Sequence, residues 1–369
     1  MNAETKAIAM PSRGALANVV IEKVIFGGDG LSRSSQGFVI FVPFSAEGDR
    51  LRVRITERKT NHARAEIEEV LSPGPAREEA PCPYYGRCGG CQYQHLAYAE
   101  ECRLKENQVR EAFARVGKMP EANVLPLIAS PTPYGYRNRI TVHAEGGRIG
   151  FHGVNGHDIV DIRACMLVRE EVNAELARLR SGQVSDGHYS IRDATAPQSG
   201  FFQANHDLHE TLRQLVAGAL PERGTALLEG YCGGGFFTTT VADRFQRVIA
   251  IDNDPRALRD ARRLNLANVD WRQAEAELVL PEELRDDADG DISVLLDPPR
   301  EGLPMRLTEA LCRHPAPHLV YVSCDPATLA RDAQILAKTY RLVSVQPIDL
   351  FPRTAQIECI SVWRRRNEA

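Results

Sequence analysis

LLEGYCGGGFFTTTVA, residues 227–242, reads as a strand, a glycine-rich turn and a helix starting at about Phe236. Gly233-Gly234-Gly235 lets the backbone turn sharply and approach a ligand. Outward from this stretch, from about residue 203 onward, helical patterns alternate with short apolar runs. The runs are Ala226–Glu229, Val248–Asp252, Ile292–Asp297, Leu319–Cys324 and Leu342–Pro347, with a last one from Ile357 to Trp363. Alternation of this kind builds an α/β fold, a parallel sheet with helices on both faces.

Ligands of such sheets sit outside the carboxyl ends of the strands, so the residues that close each run carry the chemistry. RVIAIDNDP, residues 247–255, places Asp252 where an acid can hydrogen-bond ribose hydroxyls, which suits nicotinamide dinucleotides and S-adenosylmethionine alike. The next run closes on DPPR, residues 297–300. Asp297 is thereby set at the edge on a backbone that cannot continue the ladder. HLVYVSCDPATLARD, residues 318–332, puts Cys324 between a strand end and a helix start at Asp325-Pro326, a place expected to favour thiolate over thiol. If the last strand is antiparallel, its first residue, Glu358, lies on that edge too. There it can act as a proton acceptor with a raised pKa.

Residues 14–72 read as short strands, Asn18–Val24, Gly37–Phe41, Asp49–Thr56 and Arg64–Leu71, the pattern of a small β-barrel of the OB kind. Arg50, Arg52 and Arg54 alternate with Leu51, Val53 and Ile55, and with Arg58 and Lys59 they offer a basic face. That face is either a solvated outer surface or one that tracks phosphates. Residues 96–117 have helical periodicity, and 124–200 alternate between short strands and turns.

The net charge of −4 excludes a molecule that is basic all over, so nucleic-acid contact must come from local patches. No apolar run approaches the ~20 residues of a membrane span, and MNAETKAIAMPSRG lacks a signal-peptide core, so no membrane association and a cytosolic location are expected. In that reducing compartment the nine cysteines are not a disulfide framework. Cys82-x5-Cys88-x2-Cys91 is a loop that can wrap a metal centre, and Cys165 is the candidate fourth ligand. Three-plus-one spacing favours an iron–sulfur cluster, with zinc and free thiols as the alternatives. Cys102, Cys312 and Cys359 lie on apolar patterns and read as packing residues. Two other classes remain open on these residues: an oxidoreductase with an iron–sulfur centre, and a non-catalytic RNA-binding protein.

CPYYGRCGGCQYQH (82–95), FFQAN (201–205), DPPREG (297–302), SCDPATLARD (323–332) and DLFPRTAQIE (349–358), in this order, resemble the RNA 5-methyluridine methyltransferases, specifically the RumA-like group. The resemblance runs from about residue 15 to the C-terminus. It implies a TRAM barrel (12–73), a small iron–sulfur central domain (74–95 and 119–200) and a class I methyltransferase domain with a seven-stranded mixed sheet (96–118 and 201–369). It further implies Cys324 as nucleophile on uracil carbon 6 and Glu358 as the base that removes the carbon 5 proton. Gln203, Tyr231, Gly233, Asp252 and Asp297 would surround S-adenosylmethionine, and Cys82, Cys88, Cys91 and Cys165 would hold a [4Fe-4S] cluster. The implied partner is RNA, a uridine in a loop or unfolded stem of 23S ribosomal RNA or of transfer RNA, met by a monomer. The chain departs from the family at Phe236 (usually Asn), Asp325 (Asn), Arg353 (His or Gln) and Gln356 (His), and its 165–203 stretch is short for the group.

Overall fold

The computed structural model describes residues 12–34, 37–156, 158–194, 205–286 and 291–366. It divides into two compact units. The first comprises Met1–Lys105, Thr141–Ile191 and Pro352–Ala355, and the second Glu106–Ile140, Arg192–Phe351 and Gln356–Ala369. No helix among the described residues is long and apolar enough to cross a membrane.

In the first unit, β1 (Leu16–Val20), β2 (Lys23–Val24), β3 (Asp29–Arg33), β4 (Val39–Pro43), β5 (Arg50–Arg58) and β6 (His62–Ser72) form one sheet in the order β1-β5-β6-β4-β3-β2. Leu51, Val53 and Ile55 of β5 are buried with Val19, Ile40 and Val42, while Arg50, Arg52 and Arg54 face outward, as period 2 requires. β3 is unexpected, because DGLSR reads as a turn. It pairs with β4 from Asp29 opposite Pro43 to Arg33 opposite Val39, and this pairing overrides its poor strand propensity.

α1 (Tyr98–Arg115) follows, and the division between the units falls inside it. β7 (Arg139–Glu145), β8 (Arg148–His152), β9 (Ile159–Asp161) and β10 (Gly187–Arg192) form a four-stranded sheet in the order β10-β7-β8-β9. α2 (Glu170–Ser181) lies between β9 and β10, where turn-rich texture predicts only strands and turns. Val172 and Leu176 give it a buried stripe, and Glu170 and Glu171 in its first turn with Arg178 and Arg180 in its last suit its dipole.

Arg353 accounts for the third piece of the first unit. Its backbone lies at φ 68°, its N–H donates to Glu101 Oε1 at 2.7 Å, and its guanidinium donates to the Leu96 carbonyl at 2.8 Å. Lys105 Nζ lies 2.8 Å from the same Glu101 oxygen, and neither side chain is exposed. Three buried charges thus satisfy one another, a state that removing one partner would leave costly.

In the second unit, helices and strands alternate: α3 (His209–Ala219), β11 (Gly224–Gly230), α4 (Thr238–Val241), β12 (Phe245–Asp252), α5 (Pro255–Arg262), β13 (Val269–Gln273), α6 (Ala276–Arg285), β14 (Ile292–Leu296), α7 (Met305–Arg313), β15 (His318–Ser323), α8 (Pro326–Leu336), β16 (Tyr340–Ile348) and β17 (Glu358–Arg365). Their sheet has seven strands in the order β13-β12-β11-β14-β15-β17-β16. β13 through β15 run parallel, and β17 is antiparallel to both its neighbours. Leu228, Ile249, Val294 and Leu319 pack into one apolar cluster, while Leu227, Val248, Leu295 and Val320 pack into another. That buries both faces of the sheet. The helix expected from Phe236 is a single turn, Thr238–Val241. Three consecutive β-branched threonines propagate a helix poorly, and the Thr238 hydroxyl is held by Glu229 at 2.6 Å.

Candidate active site

β11, β12, β14 and β15 end on one rim of the seven-stranded sheet, at Gly230, Asp252, Leu296 and Ser323, and antiparallel β17 begins there. Ser323 pairs with Cys359. One more step of that register sets Cys324 opposite Glu358. Asp297 follows β14 directly. Three residues separated by tens of positions in sequence are therefore neighbours on one rim, as strand polarity predicts.

The turn after β11 is built by backbone that favours glycine. Gly233 has φ 52° and Gly235 φ 83°, and a Cβ on Gly235 would lie 2.8 Å from the Trp271 ring. Asp252 holds this turn. Its Oδ2 accepts from the Gly233 N–H at 2.8 Å and its Oδ1 from the Asp254 N–H at 2.8 Å. Tyr231, at φ 62°, has a buried hydroxyl without a hydrogen-bond partner among the described residues, and Glu229 Oε1 is in the same position. Orphaned polar groups beside a glycine turn fit a polar cofactor that would satisfy them. Gln203 lies outside the described residues. Phe236 packs against Phe237 and His209, with the Arg213 guanidinium 4.5 Å from its ring centroid.

Burial dominates the electrostatics of the rim. It pushes the Asp297 carboxyl up to about 7, with Asp252 adding to the rise. It raises Glu229 to about 8, against the hydrogen bond from Thr238. Glu358 goes well above the ordinary carboxylate range through burial and then Asp297, while Arg300 opposes both. Cys324 rises to about 11, first by burial and then through Glu358; Arg300 pulls it down, and Asp297 and Asp325 push it up. Burial and the surrounding carboxyls therefore oppose the thiolate that the helix N-terminus is expected to favour. The Asp325 carboxylate already caps that helix, accepting from the Ala327 and Thr328 N–H groups at 2.8 and 3.0 Å, and adds negative charge beside the thiol. Chemically, the rim is a low-dielectric cleft holding a thiol, two carboxyls whose ionisation burial opposes, and an arginine that favours the ionised forms of Cys324 and Glu358.

In the first unit the cysteine loop is held from two sides. The Gly89 N–H donates to the His152 carbonyl at 3.0 Å, and the Arg163 N–H donates to the Tyr84 hydroxyl at 2.9 Å. Asn173 of α2 holds Cys165, accepting from its N–H at 2.9 Å and donating to its carbonyl at 3.0 Å. Sequence reasoning missed that residue with its helix. Burial pushes Cys91 up to about 12; Gln94 Nε2 donates to its sulfur at 3.2 Å and opposes the rise, while Cys165, Cys88 and Cys82 add to it. The four thiols share one neighbourhood. Among the described residues, however, no three His, Cys, Asp or Glu side chains are gathered so as to hold a single metal ion. Of the other cysteines, Cys359 and Cys232 are buried in the core, and Cys312 packs against it.

Two of the arginines on the basic face of β5 are paired with acids of β6. Arg52 lies 3.0 Å from Glu69 and Arg54 2.5 Å from Glu68, and Lys59 lies 3.1 Å from Glu57.

Two family models match the chain, tRNA (Uracil-5-)-methyltransferase over residues 286–366 and TRAM domain over 13–67. A Streptomyces coelicolor protein named as an RNA methyltransferase is 31% identical over 445 positions, covering 98% of this chain and 96% of that one. A Bdellovibrio bacteriovorus protein named likewise is 29% identical and covers 96% of each. Alignment over 445 positions against 369 residues means that the Streptomyces relative carries residues this chain lacks. The Pyrococcus abyssi tRNA (uracil-54, C5)-methyltransferase, solved with S-adenosyl-L-homocysteine, superposes with a TM-score of 0.68 at 23% identity, over 94% of this chain and 100% of that one. This last likeness is one of fold.

Proposed function

Because the chain belongs to the S-adenosylmethionine-dependent RNA (uracil-5-)-methyltransferase family, we propose that it methylates carbon 5 of a uridine in RNA with Cys324 as nucleophile and Glu358 as base. The observation that carries this reading is the register of β15 and β17, which faces Cys324 with Glu358, beside Asp297 and Arg300. Bound S-adenosylmethionine would supply a methyl group made electrophilic by its sulfonium, held by Tyr231, Gly233, Asp252, Asp297 and Gln203.

Carbon 5 of uracil is a weak nucleophile. Addition of the Cys324 thiolate to carbon 6 makes it an enolate-like carbon that can accept the methyl. Glu358 then takes the carbon 5 proton, the carbon 6–sulfur bond breaks, and its electron pair returns to Cys324. Arg300 favours the ionised forms of both residues, so it lowers the cost of starting each step. The target base is flipped out of its stack to reach a thiol inside the cleft. Glu358→Gln should accumulate a covalent RNA–protein adduct, seen as a retarded band on a denaturing gel. Normal turnover in that variant would remove Glu358 from its role.

The target is proposed to be 23S ribosomal RNA, since the cysteine set goes with that group by resemblance. Transfer RNA is the second reading, favoured by the names of the matched family model and of the solved Pyrococcus relative. Labelled methyl transfer to total RNA, followed by mapping of the modified nucleotide, decides between them. The same reading divides the chain into a TRAM barrel, a central cysteine-bearing domain and a methyltransferase domain, in a cytosolic monomer.

Cys82, Cys88, Cys91 and Cys165 are proposed to hold a [4Fe-4S] cluster. The three-plus-one spacing of the four cysteines favours a cluster over a single zinc, and the thiols of Cys82, Cys88 and Cys165 all act on Cys91. The amide of Gln94 on Cys91 is the kind of donor that tunes cluster sulfurs. Iron and sulfide analysis after anaerobic purification tests the assignment.

A further inference from the structure

The seven-stranded sheet has a second end, opposite the catalytic rim, where β15 and β16 begin and β17 finishes. β15 runs from His318 to Ser323, so this end lies about 17 Å from the rim at a rise of about 3.3 Å per residue. Strand register brings three side chains into one row there. His318 of β15 stands opposite Arg364 of β17, and Arg364 stands opposite Arg341 of β16. Residues directly opposite one another share a face of the sheet, and like charges so placed repel. Burial and then Arg341 hold Arg364 below the usual arginine range. Burial and then Arg364 hold His318 below the usual histidine range, against a smaller pull from Asp291.

The next two residues along the chain, Arg365 and Arg366, join this row in lining a cleft of about 560 Å³. What holds these guanidiniums is uncharged. Arg364 donates to the Trp363 and Ala219 carbonyls at 3.1 and 3.2 Å, Arg365 to the Pro315 carbonyl at 3.3 Å, and Arg366 to the Tyr340 carbonyl at 3.0 Å. Carbonyl dipoles direct a guanidinium without neutralising it, and each group keeps further N–H donors to offer. Among the described residues no Asp or Glu stands at ion-pair distance from Arg341, Arg364, Arg365 or Arg366. Arg110, Arg272 and Arg331 of the same unit, by contrast, each lie within 3.0 Å of an acid. A chain whose net charge is −4 thus gathers four arginines without counter-charges on one concave surface. An oxyanion would relieve their repulsion and accept paired hydrogen bonds from the planar guanidiniums.

We propose that Arg341, Arg364, Arg365 and Arg366, with His318, bind phosphates of the substrate RNA at a point remote from the uridine being methylated. This rests on the RNA-methylating reading above and adds to it a second hold on the RNA, at the far end of the sheet from the reacting base. Phosphate contacts of this kind carry no base identity; they fix how the RNA lies on the protein.

The test is binding of long oligouridylate to the full chain across a range of potassium chloride concentrations, for the parent protein and for Arg341→Gln, Arg364→Gln and Arg263→Gln. Removing one arginine that neutralises a phosphate should reduce the steepness of log affinity against log salt by about 1. Arg341→Gln and Arg364→Gln should each show that change, with roughly tenfold weaker binding at moderate salt. Arg263, an exposed arginine just past α5 that lies 3.0 Å from Asp260, is the control, and Arg263→Gln should keep the parent slope. Methyl transfer to unmodified transcribed RNA should be impaired in KM rather than in kcat. S-adenosylmethionine binding, measured by calorimetry, should be retained and so report an intact fold. Arg341 is exposed, so Arg341→Gln decides the matter even if Arg364→Gln proves unstable. The parent slope in Arg341→Gln would overturn the site, and so would an equal change in Arg263→Gln or an impairment confined to kcat. Pyrophosphate binding that Arg341→Gln abolishes, with RNA slopes unchanged, would assign the cleft to a free phosphate ligand and overturn the RNA contact. A parent protein that binds RNA with these slopes but transfers no methyl would instead sink the catalytic reading and leave the phosphate site standing.

Discussion

Cys91 and Cys324 are both thiols that burial pushes far above the ordinary range, to about 12 and about 11, and they sit in different company. Around Cys91 are the Gln94 amide and three more thiols. Around Cys324 are two carboxyls of the rim, the Asp325 cap and Arg300. The first setting is one that a metal would relieve for as long as it stays bound, because each sulfur that ligates it is ionised by the bond itself. The second offers only a passing relief, when negative charge leaves the sulfur for a substrate carbon and an arginine is at hand. Burial alone therefore does not separate a ligand from a nucleophile; the neighbours of the sulfur do.

The largest effect expected is at Cys324. Cys324→Ala should lower methyl transfer by roughly a thousandfold or more, since no other group can take its place at carbon 6. Oligouridylate binding should stay within about twofold. Transfer persisting within tenfold, measured with labelled S-adenosylmethionine, would mean that Cys324 is a packing residue like Cys359.

Arg300 should come next. It is the group that favours ionisation of both Cys324 and Glu358, so Arg300→Gln pushes both further from their working states. A decrease of about 10- to 100-fold in kcat/KM is expected. With a thiol at about 11, kcat/KM of the parent protein should climb through pH 7 to 9 without levelling. Each pH unit yields about ten times more thiolate. The variant should climb along a limb displaced to higher pH. A plateau near pH 7 in the parent protein would show that the thiolate is preformed.

Cys91→Ala should act on the other side of the comparison. Iron and sulfide content should fall to background and thermal stability should drop, while methyl transfer by the folded fraction stays within about tenfold. Full retention of iron would remove Cys91 from the ligand set.

How far the molecule can be read from its residues follows the same division between local signals and neighbours. The rim was readable because strand ends carry their own punctuation: Asp297 before two prolines, Cys324 before an Asp-Pro helix start, Glu358 opening an apolar run. Strand polarity then does the rest. The proton states were not readable, because Asp325 is at once a cap and a negative charge beside the thiol, and only the fold shows which matters to Cys324. The fate of the β5 arginines was hidden for a similar reason. Their partners Glu68 and Glu69 lie on β6, whose pairing with β5 is offset by bulges. β13, VDWRQ, has little apolar pattern because it is an edge strand, paired among the described residues with β12 alone. α2 was open to reading, since Val172 and Leu176 are four apart, but the turn-rich sequence around it obscured that spacing.

The smallest effect tests whether burial governs the whole rim or only the reacting pair. Glu229 is buried, keeps one oxygen on the Thr238 hydroxyl and has its carboxyl raised to about 8. The folded protein therefore holds a proton there that the unfolded chain releases near the ordinary carboxylate value. Below that ordinary value both states are protonated and the contribution is fully present. As the pH rises toward and through 8 the unfolded state is favoured, and stability is lost. Glu229→Gln keeps an oxygen for Thr238 and removes the titration. The melting temperature of the parent protein should fall by a few degrees between pH 5 and pH 9, at about 2–4 °C per kcal/mol for domains of this size. The variant should lose less over the same interval and be the more stable at pH 9. Parallel curves for the two proteins would place Glu229 in contact with water or with a cation, and would weaken the case that the neighbouring Asp297 and Glu358 hold their protons through burial.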